Sequence, residues 1–258
     1  MPFVILNGEK LHYQHHRGVV QSKAPPLVLV HGAGGNGMHW PGELRRLPDH
    51  EVYALDLPGH GRSGGPGRTE IGAYAEVVRE FADALKLPAF VLGGHSMGGA
   101  IALEFALRYG SRLAGLILVA TGARLRVAPE ILAGVQDDFE GTTVLLAEWA
   151  HGTHVDPHLQ RIYSRRLREV DPQVLAADFM ACDAFDRRAD VAAISTPALI
   201  LCGDADRMTP VKYSQFLAAK MPDARLIILP GAGHMAMLEP SSRPIVVDAI
   251  ERFVESLR

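Results

Sequence analysis

Short apolar runs that stop at a glycine or an aspartate alternate with amphipathic stretches along most of this 258-residue chain. The runs are PPLVLVHG (25–32), EVYALDL (51–57), AFVLGG (89–94), LAGLILVAT (113–121), TPALILCGD (196–204) and ARLIILPG (224–231). Each is too short for a helix and apolar without alternation, as expected of strands buried on both faces. Between them, Ile71, Tyr74, Val77, Val78, Phe81 and Leu85 recur at helical spacing, and MGGAIALEFALRY (97–109), 211–220 and 241–257 read the same way. A shorter helix is expected over Trp40–Leu47. Strand and helix in alternation imply a mostly parallel central sheet with helices on both faces, an α/β fold. At the N-terminus, FVILNGEKLHYQ reads as two strands around an Asn7-Gly8 turn.

The alternation breaks after Thr121. From 122 to 193 the sequence shows only helical patterns rich in Ala, Leu and Arg. About 70 residues of helix inside an α/β sheet exceed any ordinary connection. They are expected to form a helical cap, with 1–121 and 194–258 as the core. The formal net charge of −3 implies no basic face and no nucleic-acid partner. Cys182 and Cys202 lack the spacing of a zinc or redox pair. No run approaches the roughly 18 apolar residues of a membrane span, and MPFVILNGEK lacks the basic and apolar regions of a signal peptide. A cytoplasmic protein that needs no cofactor is expected.

Chemistry centres on GGHSMGG. Ser96 lies between a strand and the helix beginning at Met97, with Gly94 and Gly98 two positions to either side. A sharp strand-to-helix turn lifts such a serine above the sheet edge, over a helix N-terminus. A serine hydroxyl needs a base. His234, in the glycine-bounded loop PGAGHMAMLEP after the last strand, reaches the same edge. His12, His15, His16 and His50 fall on a hairpin and a turn and are expected at the surface; His151, His154 and His158 with Asp156 are interrupted by Gly152 and Pro157, against a metal site. The imidazole needs an acid to orient it, and GDADRMTP offers Asp204 and Asp206, between which chemistry alone does not choose. Oxyanion donors are expected from the backbone N–H of Met97 and from HGAGG, with Ala33 first and Gly34 next. Met38, Met208 and Met235 fall on loops at this edge and suggest an apolar substrate pocket, with Arg124 a candidate polar contact.

HGAGG, DLPGHGRS (56–63), GHSMG, GDADRMTP and GAGHMAMLEP, in that order, resemble the α/β-hydrolase superfamily over nearly the whole chain except 122–193. The resemblance implies a triad in the order Ser96, Asp, His234. Its acid stands in a pattern similar to G-x-x-D-x-x-x-P, which here runs from Gly203 to Pro210 and selects Asp206 over Asp204. Haloalkane dehalogenases and epoxide hydrolases of this fold carry an aspartate in the elbow where this chain has Ser96. Carbon–carbon bond hydrolases often place a tryptophan after the histidine, where Met235 stands. The expected function is therefore a serine hydrolase acting on small-molecule carboxylic esters. A carbon–carbon bond hydrolase and a non-catalytic ligand receptor on the same fold are the alternatives.

Overall fold

The computed structural model describes residues 2–18, 24–153 and 155–257. A hairpin opens the chain: β1 (Phe3–Leu6) pairs antiparallel with β2 (Glu9–His16). Its turn places Asn7 at φ 49° and Gly8 at φ 85°, two positive values in succession, which suit the right-handed twist of the flanking strands. Then follow β3 (Leu27–Val30), the one-turn helix α1 (Gly42–Arg45), β4 (Val52–Leu55), α2 (Ile71–Ala84), β5 (Phe90–His95), α3 (Met97–Tyr109) and β6 (Leu113–Val119). Four helices come next: α4 (Pro129–Asp137), α5 (Phe139–Trp149), α6 (Pro157–Leu167) and α7 (Pro172–Ala184). The chain closes with β7 (Ala198–Gly203), α8 (Lys212–Lys220), β8 (Ala224–Leu229) and α9 (Arg243–Ser256).

The eight strands form one sheet in the order β1-β2-β4-β3-β5-β6-β7-β8, parallel from β4 through β8 and antiparallel at the hairpin. The central strands are apolar at every position because each face meets its own core. Val28, Val30, Leu92, Leu116, Leu118 and Ile200 turn toward the face covered by α2 and α3. Leu27, Leu29, Val91, Ile117, Val119, Leu199 and Leu201 turn to the other face, where Leu44 of α1 and Val246, Ile250 and Val254 of α9 pack. Burying each such Leu, Ile or Val contributes ~1.5–3 kcal/mol, so the strand ends that carry the functional loops stand on a rigid base.

Helices α4–α7 lie between β6 and β7 and build a smaller core of their own from Ile131, Val135, Leu146, Leu167, Leu175 and Phe179. The two ends of this insertion meet where Arg124 and Asp186 form a lone antiparallel bridge.

Two expectations are corrected. The helix expected over Trp40–Leu47 is a 3-10 turn at Gly37–His39 followed by α1, because Pro41 at the N-cap, lacking an N–H, starts the helix anew. His12 and His50 are buried, and His15 and His16 are partly covered. The reason is that β2 is an inner strand, flanked by β1 and β4, and His12 Nδ1 reaches Asp56 Oδ2 at 2.8 Å.

Candidate active site

Ser96 occupies the turn from β5 to α3 at φ 53° and ψ −115°, a region that costs a non-glycine residue about 1–3 kcal/mol. The surroundings hold it there. Its N–H donates to Val119 O at 2.9 Å, and its carbonyl accepts from Thr121 Oγ1 at 2.8 Å and from Gly99 N at 2.9 Å. The flanking glycines answer to packing: a Cβ at Gly94 would lie 2.0 Å from Gly98 O, and one at Gly98 would lie 2.4 Å from Val30 O. Only glycine lets strand, turn and helix approach this closely.

His234, on the loop after β8, is buried with Asp206, on the loop after β7; Nδ1 and Oδ2 are 2.9 Å apart. Asp206 Oδ1 accepts the N–H groups of Met208 and Thr209, both at 2.8 Å, and Oδ2 accepts the Thr209 hydroxyl at 2.7 Å. Burial alone would raise the carboxyl's pKa, but His234 and the Thr209 donors bring it below its ordinary value. A carboxylate only accepts, so Nδ1 of His234 carries a proton. Asp204 does something else. It is exposed and accepts Gly231 N at 2.7 Å, tying the ends of β7 and β8 together.

The loop after β3 separates its amides by role. Gly35 N donates to Gly32 O at 3.0 Å, and Gly34 N donates to Asp178 Oδ2 at 2.8 Å. Gly34, the second-choice oxyanion donor, is thereby engaged elsewhere. Among the described residues, Ala33 N and Met97 N belong to none of the loop and turn hydrogen bonds. Met97 N is one of the unpartnered first amides of α3.

Ser96, His234, Gly32 and Ala33 open onto a cavity of about 320 Å³. Its far wall is apolar and comes from the inserted helices: Ile131, Leu146, Trp149, Leu167 and Phe179. Arg126 and Arg207 stand at its margin, Arg207 with its guanidinium 5.3 Å from the Trp149 ring centroid. Of the three methionines expected in the pocket, Met208 lines it. Met38 does not, because the 3-10 turn leaves it 53 % exposed. Nor does Met235, which turns into the core shared with α9. Arg124 likewise lies outside, 3.8 Å from Asp186.

Other groups escape a reading by motif. His95 donates from Nε2 to the carbonyl of His234 at 3.0 Å, and burial with His234 nearby pushes its pKa down to about 3, so it is a neutral prop against the His234 backbone. Glu239 Oε1 accepts Gly233 N at 3.0 Å and Gly152 N at 2.9 Å, fixing the His234 loop to the end of α5. His39, lining the cavity, is lowered to about 4 by burial and by Arg166. The position of His95 inside GHSMG was the only local signal for any of these. Among the described residues no cluster of His, Cys, Asp or Glu could hold a metal; His154 lies outside them, and His151 engages Ala147 O at 2.7 Å.

The chain is 29% identical over 239 residues to the dihydrolipoyllysine-residue acetyltransferase component of the acetoin cleaving system of Pseudomonas putida, covering 84% of this chain and 60% of that one. It therefore spans about three fifths of that relative's length. It is 30% identical over 224 residues to a pimeloyl-[acyl-carrier protein] methyl ester esterase of Yersinia enterocolitica, covering 81% of this chain and 85% of the relative. A thermophilic esterase of known structure superposes with a TM-score of 0.86 at 30% identity, covering 99% of this chain and 97% of the other. Residues 27–248 match the model of the alpha/beta hydrolase family, and the chain belongs to that family.

Proposed function

We propose that the protein is a serine hydrolase of carboxylic esters, working through an acyl-enzyme. The observation that carries this reading is the 2.9 Å contact of His234 Nδ1 with Asp206 beside the cavity onto which the strained Ser96 also opens. Ser96 Oγ attacks the carbonyl carbon as His234 Nε2 takes its proton, and the tetrahedral oxyanion lies against the N–H groups of Ala33 and Met97. Collapse breaks the bond to the alkoxy group, which leaves as the alcohol with the proton from His234. Water then attacks the acyl-enzyme by the same route and releases the acid. Asp206 holds the Nδ1–H tautomer and stabilises the imidazolium. Residues 122–193 act as a cap whose apolar wall receives the acyl chain. A relative named as a methyl ester esterase and a structural neighbour named as an esterase support the reading.

The cavity also sets the expected substrate range. At about 320 Å³ it is at the small end of ligand sites. In a panel of nitrophenyl esters, kcat/KM is expected to peak at acyl chains of about four to eight carbons and to fall at least ~10-fold by about sixteen. A flat profile would contradict the limit set by the cavity, and faster turnover of a vinylogous diketone ring-cleavage product than of any ester would move the assignment to the carbon–carbon bond hydrolases. Tight binding of a small ligand without turnover of any ester would instead mark a receptor.

A further inference from the structure

Asp178 is a fully buried carboxylate on α7, an inserted helix, yet all its partners belong to the sheet portion of the chain. Its Oδ2 accepts Gly34 N at 2.8 Å and His60 Nε2 at 2.8 Å, and its Oδ1 accepts the Tyr74 hydroxyl at 2.6 Å. His60 is equally buried, and its Nδ1 lies 3.0 Å from Pro58 O. Pro58 O can only accept, so Nδ1 carries a proton, and Asp178 beside Nε2 favours a second one there, the charged imidazolium. Burial works against that charge, and Asp178 outweighs it, raising the pKa of His60 above its ordinary value. A buried ion pair is poor value for stability alone, since apolar side chains of similar volume commonly serve as well.

What the pair touches is the loop after β3. The Gly32–Ala33 peptide is held by its carbonyl, which accepts His31 Nδ1 at 2.8 Å and Gly35 N at 3.0 Å. A trans peptide points its N–H opposite to its carbonyl, so this clamp turns Ala33 N away from the loop interior. Among the described residues, the next peptide is held at its N–H end by Asp178. Gly34 itself sits at φ 62°, where an added Cβ would lie 2.8 Å from Leu175 Cδ1 and 3.0 Å from Leu167 Cδ2, both on the inserted helices. The two dihedrals of Ala33 are therefore set between one clamp from the core and one from the insertion.

We propose that Asp178 is a positioning residue that aims the Ala33 amide at the substrate oxyanion, so that docking of the inserted helices completes the oxyanion site. This rests on the ester-hydrolase reading above. Asp178→Ala removes the acceptor of Gly34 N, and kcat on a nitrophenyl ester is expected to fall about 30–100-fold, a part of the 10²–10³ attached to a whole oxyanion donor, with KM within about threefold. Asp178→Asn restores an acceptor: its oxygen can take Gly34 N while its amino group donates to Tyr74 Oη. Its kcat is expected to recover to within about fivefold of the unaltered enzyme, although Tm stays lowered by loss of the ion pair. Tyr74→Phe removes a different bond to Asp178 and is expected to lower Tm while leaving kcat within about threefold.

An Asp178→Ala enzyme with kcat within about threefold of the unaltered one overturns the proposal. So does a kcat that falls in all three variants in step with Tm. If Asp178→Ala does not fold, Asp178→Leu fills the space without accepting Gly34 N, and the same outcomes apply. Hydrogen exchange of the 31–37 amides, compared in the unaltered chain and Asp178→Asn against Asp178→Ala or Leu, is read without substrate. Faster exchange only on loss of the acceptor supports the clamp, and unchanged exchange overturns it. If no ester is turned over by the unaltered chain, the functional reading fails, while the exchange result still reports on the clamp.

Discussion

Ser96→Ala is expected to lower kcat for ester hydrolysis by about 10⁴–10⁶-fold while leaving KM within a few-fold. The size follows from what remains. The cavity, its apolar wall and the amides of Ala33 and Met97 are untouched, so substrate still binds and the oxyanion site still exists. What is lost is the hydroxyl that the proposed mechanism uses as nucleophile, and water attacking without it gains only the residual stabilisation of binding and the amides. Alanine also carries a Cβ at φ 53°, so the turn stays strained and its hydrogen bonds to Val119, Thr121 and Gly99 are kept. Tm should therefore change little, which separates loss of chemistry from loss of fold. A variant retaining more than about a hundredth of the activity would remove Ser96 from the nucleophile's role.

Asp206→Asn is expected to cost about 10⁴-fold in kcat, and Asp204→Asn less than about threefold. The difference lies in the directions of the donors around each carboxylate. Asp206 Oδ1 faces two backbone N–H groups, from Met208 and Thr209, so the amide oxygen of an asparagine must take that side. Its amino group then faces His234 Nδ1, where Oδ2 stood at 2.9 Å. A donor there forces Nδ1 to accept, moves the imidazole proton to Nε2, and leaves the base unable to take the proton of Ser96. Among the described residues Asp204 accepts Gly231 N, at the surface, and an asparagine oxygen replaces it there. Kinetics of the two variants on one nitrophenyl ester decide between them; the reverse order would transfer the acid's role to Asp204.

The parts of this architecture that local chemistry dictates were legible in the sequence. A strand apolar at every position, such as Leu27–Val30, has to lie between two cores, and Val28 and Leu29 do face opposite ones. Asn7-Gly8 has to turn with positive φ, and does. The turn at Ser96 could be read because Gly94 makes room for the backbone of Gly98, four positions on; that Gly98 clears Val30 O and Gly99 the Thr121 side chain is set by distant parts of the chain. Where side chains point on a loop is another matter. Met38 and Met235 both fall on loops at the right edge, but a 3-10 turn sends one to solvent and the packing of α9 draws in the other. Asp178 lies 118 positions from His60 and 144 from Gly34, in a helix with little amphipathic pattern, so no spacing rule connects them. His12 was misplaced for a related reason: the hairpin is local, but whether β2 is an edge strand depends on β4, far along the chain.

If Ser96 is an activated nucleophile, it reacts covalently with an electrophile aimed at serine hydroxyls. Treated with a fluorophosphonate, the protein is expected to gain the mass of one phosphonyl group per chain with loss of fluoride, located by peptide mass spectrometry on Ser96 within the GGHSMGG segment. The same treatment of Asp206→Asn should label far more slowly. No adduct, or an adduct on another residue while Ser96 stays unmodified, would show that Ser96 is not the nucleophile.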